Sequence, residues 1–204
     1  PSTAEMPKSK LAEIGLVNGF PLQVMPLGDR RSIGPFDVEL ISMSHSIPEP
    51  SAVVIRTPLG AALHTGDWKL DENPLTSAPT DAERLKALGD DGLAALICDS
   101  TNAVRDGVSP SEADVAVTLA RLIREAPQRV AVTTFASNVA RIGSVANAAR
   151  AAGRELVVVG RAMFRVIEAA QATGYLDPRL AFHEETAFAR LPPHKVVALC
   201  TGSQ

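Results

Sequence analysis

The sequence has 204 residues, 46% of them apolar and 21% charged, with a formal net charge of −3 and two cysteines. That length holds one large domain or two small ones and a core that needs neither disulfides nor a structural metal; two cysteines exclude a disulfide framework, and no apolar run approaches the ~20 residues of a membrane-spanning helix. Cys98 and Cys200 close the apolar runs LAALIC and VVALC, which predicts two reduced, buried thiols in a cytoplasmic protein.

Taken in chain order, KSKLAEIGL reads as a short amphipathic helix ending near Gly15. PLQVMPL, FDVELISMS, SAVVIRTP and GAALHTG are short, apolar and bounded by Gly, Pro or Asp, the pattern of strands. TPLG joins the last two as a tight hairpin turn. NPLTSAPTD is a polar, proline-bearing loop, DAERLKALG a helix, and LAALICDS a fully apolar strand that runs out on Asp99.

The rhythm then changes. SPSEADVAVTLARLIREA starts a helix, with Ser109 as the cap, Pro110 at the first helical position and Glu112 completing a capping box. Val115, Leu119, Leu122 and Ile123 follow at helical spacing. RVAVTTFA, ELVVVG and KVVALCTG read as strands, separated by the helices NVARIGSVANAARAAG and AMFRVIEAAQATG. Such β-α-β-α-β alternation predicts a parallel sheet covered by helices. Both ends, PSTAEM and TGSQ, read as cut rather than finished, so a fragment of a larger protein is expected.

Charge is distributed unevenly. Residues 1–119 carry 9 Lys+Arg against 17 Asp+Glu, and residues 120–204 carry 11 against 6, ten of those eleven cations being arginine. An arginine-rich basic half fits an anionic partner, because the guanidinium fork donates two hydrogen bonds to a phosphate at once. It equally fits a solvated helix surface with ordinary ion pairs.

Two residues stand where apolar runs end: His45 in HSIPEP and Asp67 in HTGDWK. Imidazole and carboxylate suit zinc at about 2.0–2.2 Å. If their two strands are neighbours, both side chains reach the same end of the sheet. Gly66 allows close backbone approach and Pro48 stiffens the turn after His45. The alternative is a strand-end histidine bonded to backbone and an aspartate that merely serves a turn. Asp99, in CDSTN, is a third strand-end carboxylate or an Asp-Ser-Thr turn residue. His64 is a core or supporting histidine, and His183 and His194 have no assigned role. One histidine and one aspartate do not complete a tetrahedral site.

HSIPEP, HTGDWKLD, LICDSTNAVRDGVSPSE, TTFASNVARI, GRAMFRV and TGSQ follow one another in this order, and the succession resembles the ribonuclease J family, of the β-CASP branch of the metallo-β-lactamase superfamily. It runs through nearly all 204 residues. The resemblance implies an α/β fold: part of a metallo-β-lactamase αββα sandwich over 1–106, then a truncated β-CASP parallel-sheet domain over 107–204. It implies that His45 and Asp67 are zinc ligands, Asp67 bridging two ions, and that Asp99 lies beside the metal site and orients its groups. It implies a zinc-dependent phosphodiesterase that cuts RNA internally and from the 5′ end, prefers single-stranded 5′-monophosphorylated RNA and is a homo-oligomer when full length. Arg141, Arg161 and Arg165, with Ser137 and Asn138 at a helix start, then become a candidate phosphate track, the last two offering backbone N–H groups or capping the helix. No His-x-His-x-Asp-His run and no Ser-Gly-His loop occurs in the 204 residues, so the chain alone is expected to be inactive and its metal centre incomplete. Phe164 stands where the family has a polar residue. Two other readings remain: a small-ester or thioester hydrolase of the same superfamily, which the helical insert from Ser109 disfavours, and a non-catalytic RNA-binding module.

Overall fold

The computed structural model describes residues 2–16 and 22–202. Among them the backbone divides into two compact units. One comprises Pro21–His45 and Glu49–Ser111; the other takes the N-terminal helix, Ser46–Pro48 and everything from Glu112. The division between compact units falls at 111/112, and the N-terminal helix groups with the second unit.

The first unit is a five-stranded sheet in the order β1-β2-β3-β4-β5, with β1 at Arg30–Ile33, β2 at Phe36–Ser42, β3 at Ser51–Thr57, β4 at Gly60–His64 and β5 at Ala95–Ile97. The first four pair antiparallel and β5 joins β4 in parallel. Alternate residues of β2 and β3 face inward, as the two-residue period of a strand requires. Ile41, Met43, Ala52, Val54 and Leu63 meet Leu88 of α2 (Ala82–Asp91), with Trp68, Leu85 and Leu93 at the margin. Asp81 caps α2, its Oδ1 accepting the Arg84 N–H at 3.0 Å. An ion cluster ties this helix to the sheet: the buried Glu39 carboxylate accepts two hydrogen bonds from Arg84, at 2.6 and 2.9 Å, and one from Arg56 at 2.5 Å.

Three expectations change here. The PLQVMPL segment forms no strand over 22–27, Pro21 lying outside the described residues, while β1 arises from the charged RRSI instead. Arg30 pairs with Asp37 across the β1–β2 hairpin. The apolar run LAALIC gives a three-residue edge strand, not a buried one: Leu96 is 59% exposed and Ile97 49%. Cys98 is exposed and Cys200 half-buried, and both are free thiols. The unit holds one sheet with α2 on it; a second sheet of a sandwich is not among the described residues.

The second unit contains the three-stranded parallel sheet expected from the β-α-β-α-β pattern. Its order is β6-β8-β7, with β6 at Val130–Thr133, β7 at Glu155–Val159 and β8 at Val196–Cys200. Helices α3 (Glu112–Glu125), α4 (Val139–Ala151) and α5 (Arg161–Ala172) alternate with them, and α1 (Ser2–Glu13) packs on α5. Because α3 begins at Glu112, Ser109 and Pro110 precede the helix rather than start it. The core is built from Ile123, Ile142, Val145, Leu156, Val158, Met163, Ile167, Val197 and Leu199, with small alanines of α4 allowing close approach. Phe164, whose role the sequence leaves open, packs against this core as a half-buried side chain. Arg154 is itself buried, its guanidinium donating to the carbonyls of Gln128 (2.8 Å) and Ala126 just past the end of α3, which satisfies acceptors left over at a helix C-terminus. The outer edge of β7 is closed by His183, which exchanges two 2.9 Å backbone hydrogen bonds with Leu156 and Val158. No helix among the described residues is long and apolar enough to cross a membrane.

Candidate functional site

The site follows from strand polarity. His45 stands just past β2, Asp67 just past β4 and Asp99 just past β5. The strands of His45 and Asp67 are not neighbours, because β3 lies between them. Both run antiparallel to β3 and therefore parallel to each other, and β5 runs parallel to β4. All three C-terminal ends consequently lie at one end of the sheet.

Each of the three is held by its neighbours. Ser44, fully buried before His45, donates its hydroxyl to the Lys69 carbonyl at 2.5 Å and accepts the Asp71 N–H at 3.0 Å. Its backbone N–H donates to Thr80 Oγ1 at 2.9 Å, and its carbonyl accepts the Lys69 N–H at 3.0 Å. The strand end carrying His45 is thus fastened to the loop just after Asp67. That loop is braced by Lys69 Nζ, 3.0 Å from the buried Asp71 carboxylate. Asp67 itself is exposed on the turn that Gly66 makes possible. Gly66 sits at φ +63, a backbone conformation that favours glycine. His64 is neither core nor free: it is exposed, and its Nδ1 accepts the Gly66 N–H at 3.0 Å, which places the proton of the neutral ring on Nε2.

Asp99 is half-buried in the predicted Asp-Ser-Thr turn. Its Oδ1 accepts from the Thr101 N–H at 3.0 Å and the Thr101 hydroxyl at 2.6 Å. These bonds, foremost the hydroxyl's, hold the carboxyl below its ordinary range, with a smaller contribution from the charge of His45. The group is therefore a ready anion and hydrogen-bond acceptor at neutral pH.

Zinc takes four donors in a tetrahedron. Among the described residues no group of three or more His, Cys, Asp or Glu side chains is gathered to hold a metal ion. The donors supplied at this sheet end do not make a complete zinc site by themselves.

The arginines divide by what they already hold. Arg141 is half-buried, and its guanidinium donates twice to the buried Glu112 carboxylate at 3.2 Å. Arg165 lies 3.3 Å from Glu13 of α1, with both side chains more than half exposed. Arg161 is exposed at the start of α5 and has no ion pair among the described residues. Ser137 is exposed, and the capping role beside it belongs to Asn138, whose Oδ1 accepts the Arg141 N–H at 2.8 Å. Ser44, Thr65 and Trp68, which fasten the strand ends, carried no signal in the sequence, whereas Thr101 was legible in the Asp-Ser-Thr turn.

Residues 127–204 match the family model described as the beta-CASP domain of ribonuclease J. A protein named ribonuclease J from Sinorhizobium meliloti is 48% identical over 204 residues, covering 100% of this chain and 36% of the relative. The ribonuclease J of Thermus thermophilus is 43% identical over 199 residues, covering 97% of this chain and 35% of that protein. The ribonuclease J of Corynebacterium glutamicum is 45% identical over 172 residues, 84% of this chain and 24% of its own length. The chain thus spans about a third or less of these relatives. Among solved structures, a protein of unknown function from Enterococcus faecalis V583 superposes with a TM-score of 0.57 at 19% identity, over 90% of this chain and 45% of that one, a likeness of fold alone.

Proposed function

Since the chain belongs to the ribonuclease J family, its residues 127–204 being that family's β-CASP domain, we propose that it forms part of a ribonuclease whose chemistry is centred on the sheet end carrying His45, Asp67 and Asp99. The observation that supports this reading is the common polarity of β2, β4 and β5, whose C-terminal ends, each followed by one of these residues, lie at one end of the sheet. Asp67 is the exposed carboxylate of the three, free to face a substrate or an ion. Asp99 is held ionised by Thr101 and offers an acceptor at the same end of the sheet.

His45 and Asp67 are proposed as two of the donors of a zinc centre, an incomplete set that needs donors from outside these residues. Residues 1–204 purified alone are expected to retain little zinc and to leave RNA uncut, so the non-catalytic description fits the isolated chain. The β-CASP domain weighs against a small-ester hydrolase. Single-stranded RNA with a 5′-monophosphate, cut internally and from that end, in the cytoplasm and by an oligomer, completes the reading for the natural full-length protein. Of the candidates Arg141, Arg161 and Arg165, Arg161 is the one placed to meet a phosphate without first giving up a carboxylate, and Arg165, paired with the exposed Glu13, the next.

The decisive experiment is Asp67→Asn in the natural full-length protein, assayed on 5′-monophosphorylated RNA. Cleavage is expected to be lost while RNA binding survives. Normal cleavage by this variant would remove Asp67 from the chemistry.

A further inference from the structure

Asp67 and Asp99 belong to different strand ends, 32 positions apart in sequence, yet the residues flanking Asp67 hold the backbone of Asp99 on both sides. Two positions before Asp67, the buried Thr65 hydroxyl accepts the Asp99 N–H at 3.1 Å and donates to the Gly66 carbonyl at 2.8 Å. One position after Asp67, the Trp68 indole Nε1–H donates to the Asp99 carbonyl at 3.1 Å. The Thr65 N–H also donates to the Ile97 carbonyl at 3.0 Å, extending the β4–β5 ladder by one step. Three hydrogen bonds thus run from a four-residue turn to a three-residue segment.

The need for them is visible in β5. That strand is only three residues long and lies at the edge of the sheet, and its side chains are exposed. Burial of apolar surface does little to fix Asp99. Directional bonds from the Asp67 turn must do it, and Trp68 is in turn anchored by packing against the core of the first unit.

We propose that Thr65 and Trp68 are positioning residues, paired staples that set the spacing of the Asp67 and Asp99 carboxylates. Neither touches the reacting groups; each acts through the Asp99 peptide. The proposal rests on the functional reading above for its catalytic consequence, but not for its structural one. The single tryptophan of the chain is one of the two staples, so its emission reports the state of the other.

The test uses Thr65→Val, which keeps the shape and removes the hydroxyl, Thr65→Ser, which keeps the hydroxyl, and Trp68→Phe, which keeps a ring and removes the N–H. In the 204-residue chain, Thr65→Val is expected to shift Trp68 emission to longer wavelength and make it more accessible to acrylamide, with Thr65→Ser restoring the original values. In the natural full-length protein, Thr65→Val and Trp68→Phe are each expected to lower kcat by about ten- to a hundredfold, the scale of a misplacement near 1 Å. KM for RNA stays unchanged, and Thr65→Ser recovers kcat. Unchanged emission and quenching in Thr65→Val overturns the coupling of the two staples. Wild-type kcat in both Thr65→Val and Trp68→Phe, alongside an inactive Asp67→Asn, overturns their positioning role and leaves the functional reading standing. Normal cleavage by Asp67→Asn overturns the functional reading, and with it the catalytic consequence. Should Thr65→Val fail to fold by circular dichroism, Trp68→Phe decides the kinetic question alone.

Discussion

Glu39 is a buried carboxylate held by two guanidinium groups, and its protonation sets an acid limit on the sheet that carries the site. Arg84 first, and Arg56 after it, pull its pKa from 4.5 down to about 2 against the opposing effect of burial. A carboxyl depressed on folding stabilises the protein above its unfolded value and loses that stabilisation as pH falls through the folded one. Between about pH 5 and pH 2 the first unit is therefore expected to lose roughly 2 kcal/mol from this group, allowing for screening of the partly exposed Arg84. Glu39→Gln removes this loss: urea unfolding followed through Trp68 is expected to show a less stable protein at pH 7 and a flatter acid limb. The residues of the site were legible in proportion to their chemistry. His45, Asp67 and Asp99 announce themselves as polar groups at the ends of apolar runs. Ser44, Thr65 and Trp68 do not, because their partners lie 36, 34 and 31 positions away, and nothing local distinguishes such a hydroxyl or indole from any other.

Among the elements, those with a clear period and capping residues were read correctly: β2, β3, β4, α4, α5 and the three parallel strands. The failures share a cause. An apolar run says that a strand is favoured, but its depth depends on what covers it. ELVVV and VVALC are buried as read, whereas ALI of β5 is an uncovered edge. RRSI becomes a strand only because β2 offers a register and Asp37 a partner for Arg30. In α3, the start expected at Pro110 and the true start at Glu112 differ by two residues, a choice that local capping signals leave open. The contrast has a measurable consequence. Ile142→Ala, at a fully buried position of α4, is expected to cost about 2–5 kcal/mol in denaturant unfolding, while Leu96→Ala on β5 stays within about 0.5 kcal/mol.

For the whole molecule, the uneven charge seen in the sequence resolves into arginines with different commitments. Arg141→Ala takes the guanidinium from a buried carboxylate and is expected to cost about 1–3 kcal/mol of stability, with little change in how RNA binding responds to salt. Arg161→Ala is expected to leave stability unchanged and lower the salt slope of RNA binding by about one unit, measured by titration across a salt series. The single tryptophan at 68 lies in one compact unit and the single tyrosine at 175 in the other, the unit that also holds Arg141 and Arg161.

The central place of β8 bears on how the second unit is made. Its sheet runs β6-β8-β7, so the strand latest in sequence sits in the middle. Among the described residues, until 196–200 emerge β6 has no strand to bond and β7 only the bridge to His183. At a ribosomal pace of about 5–20 residues per second, β6 waits several seconds for its neighbour. Of the described strands, β8 alone joins both neighbours, so β6 and β7 are bridged in one step when it arrives.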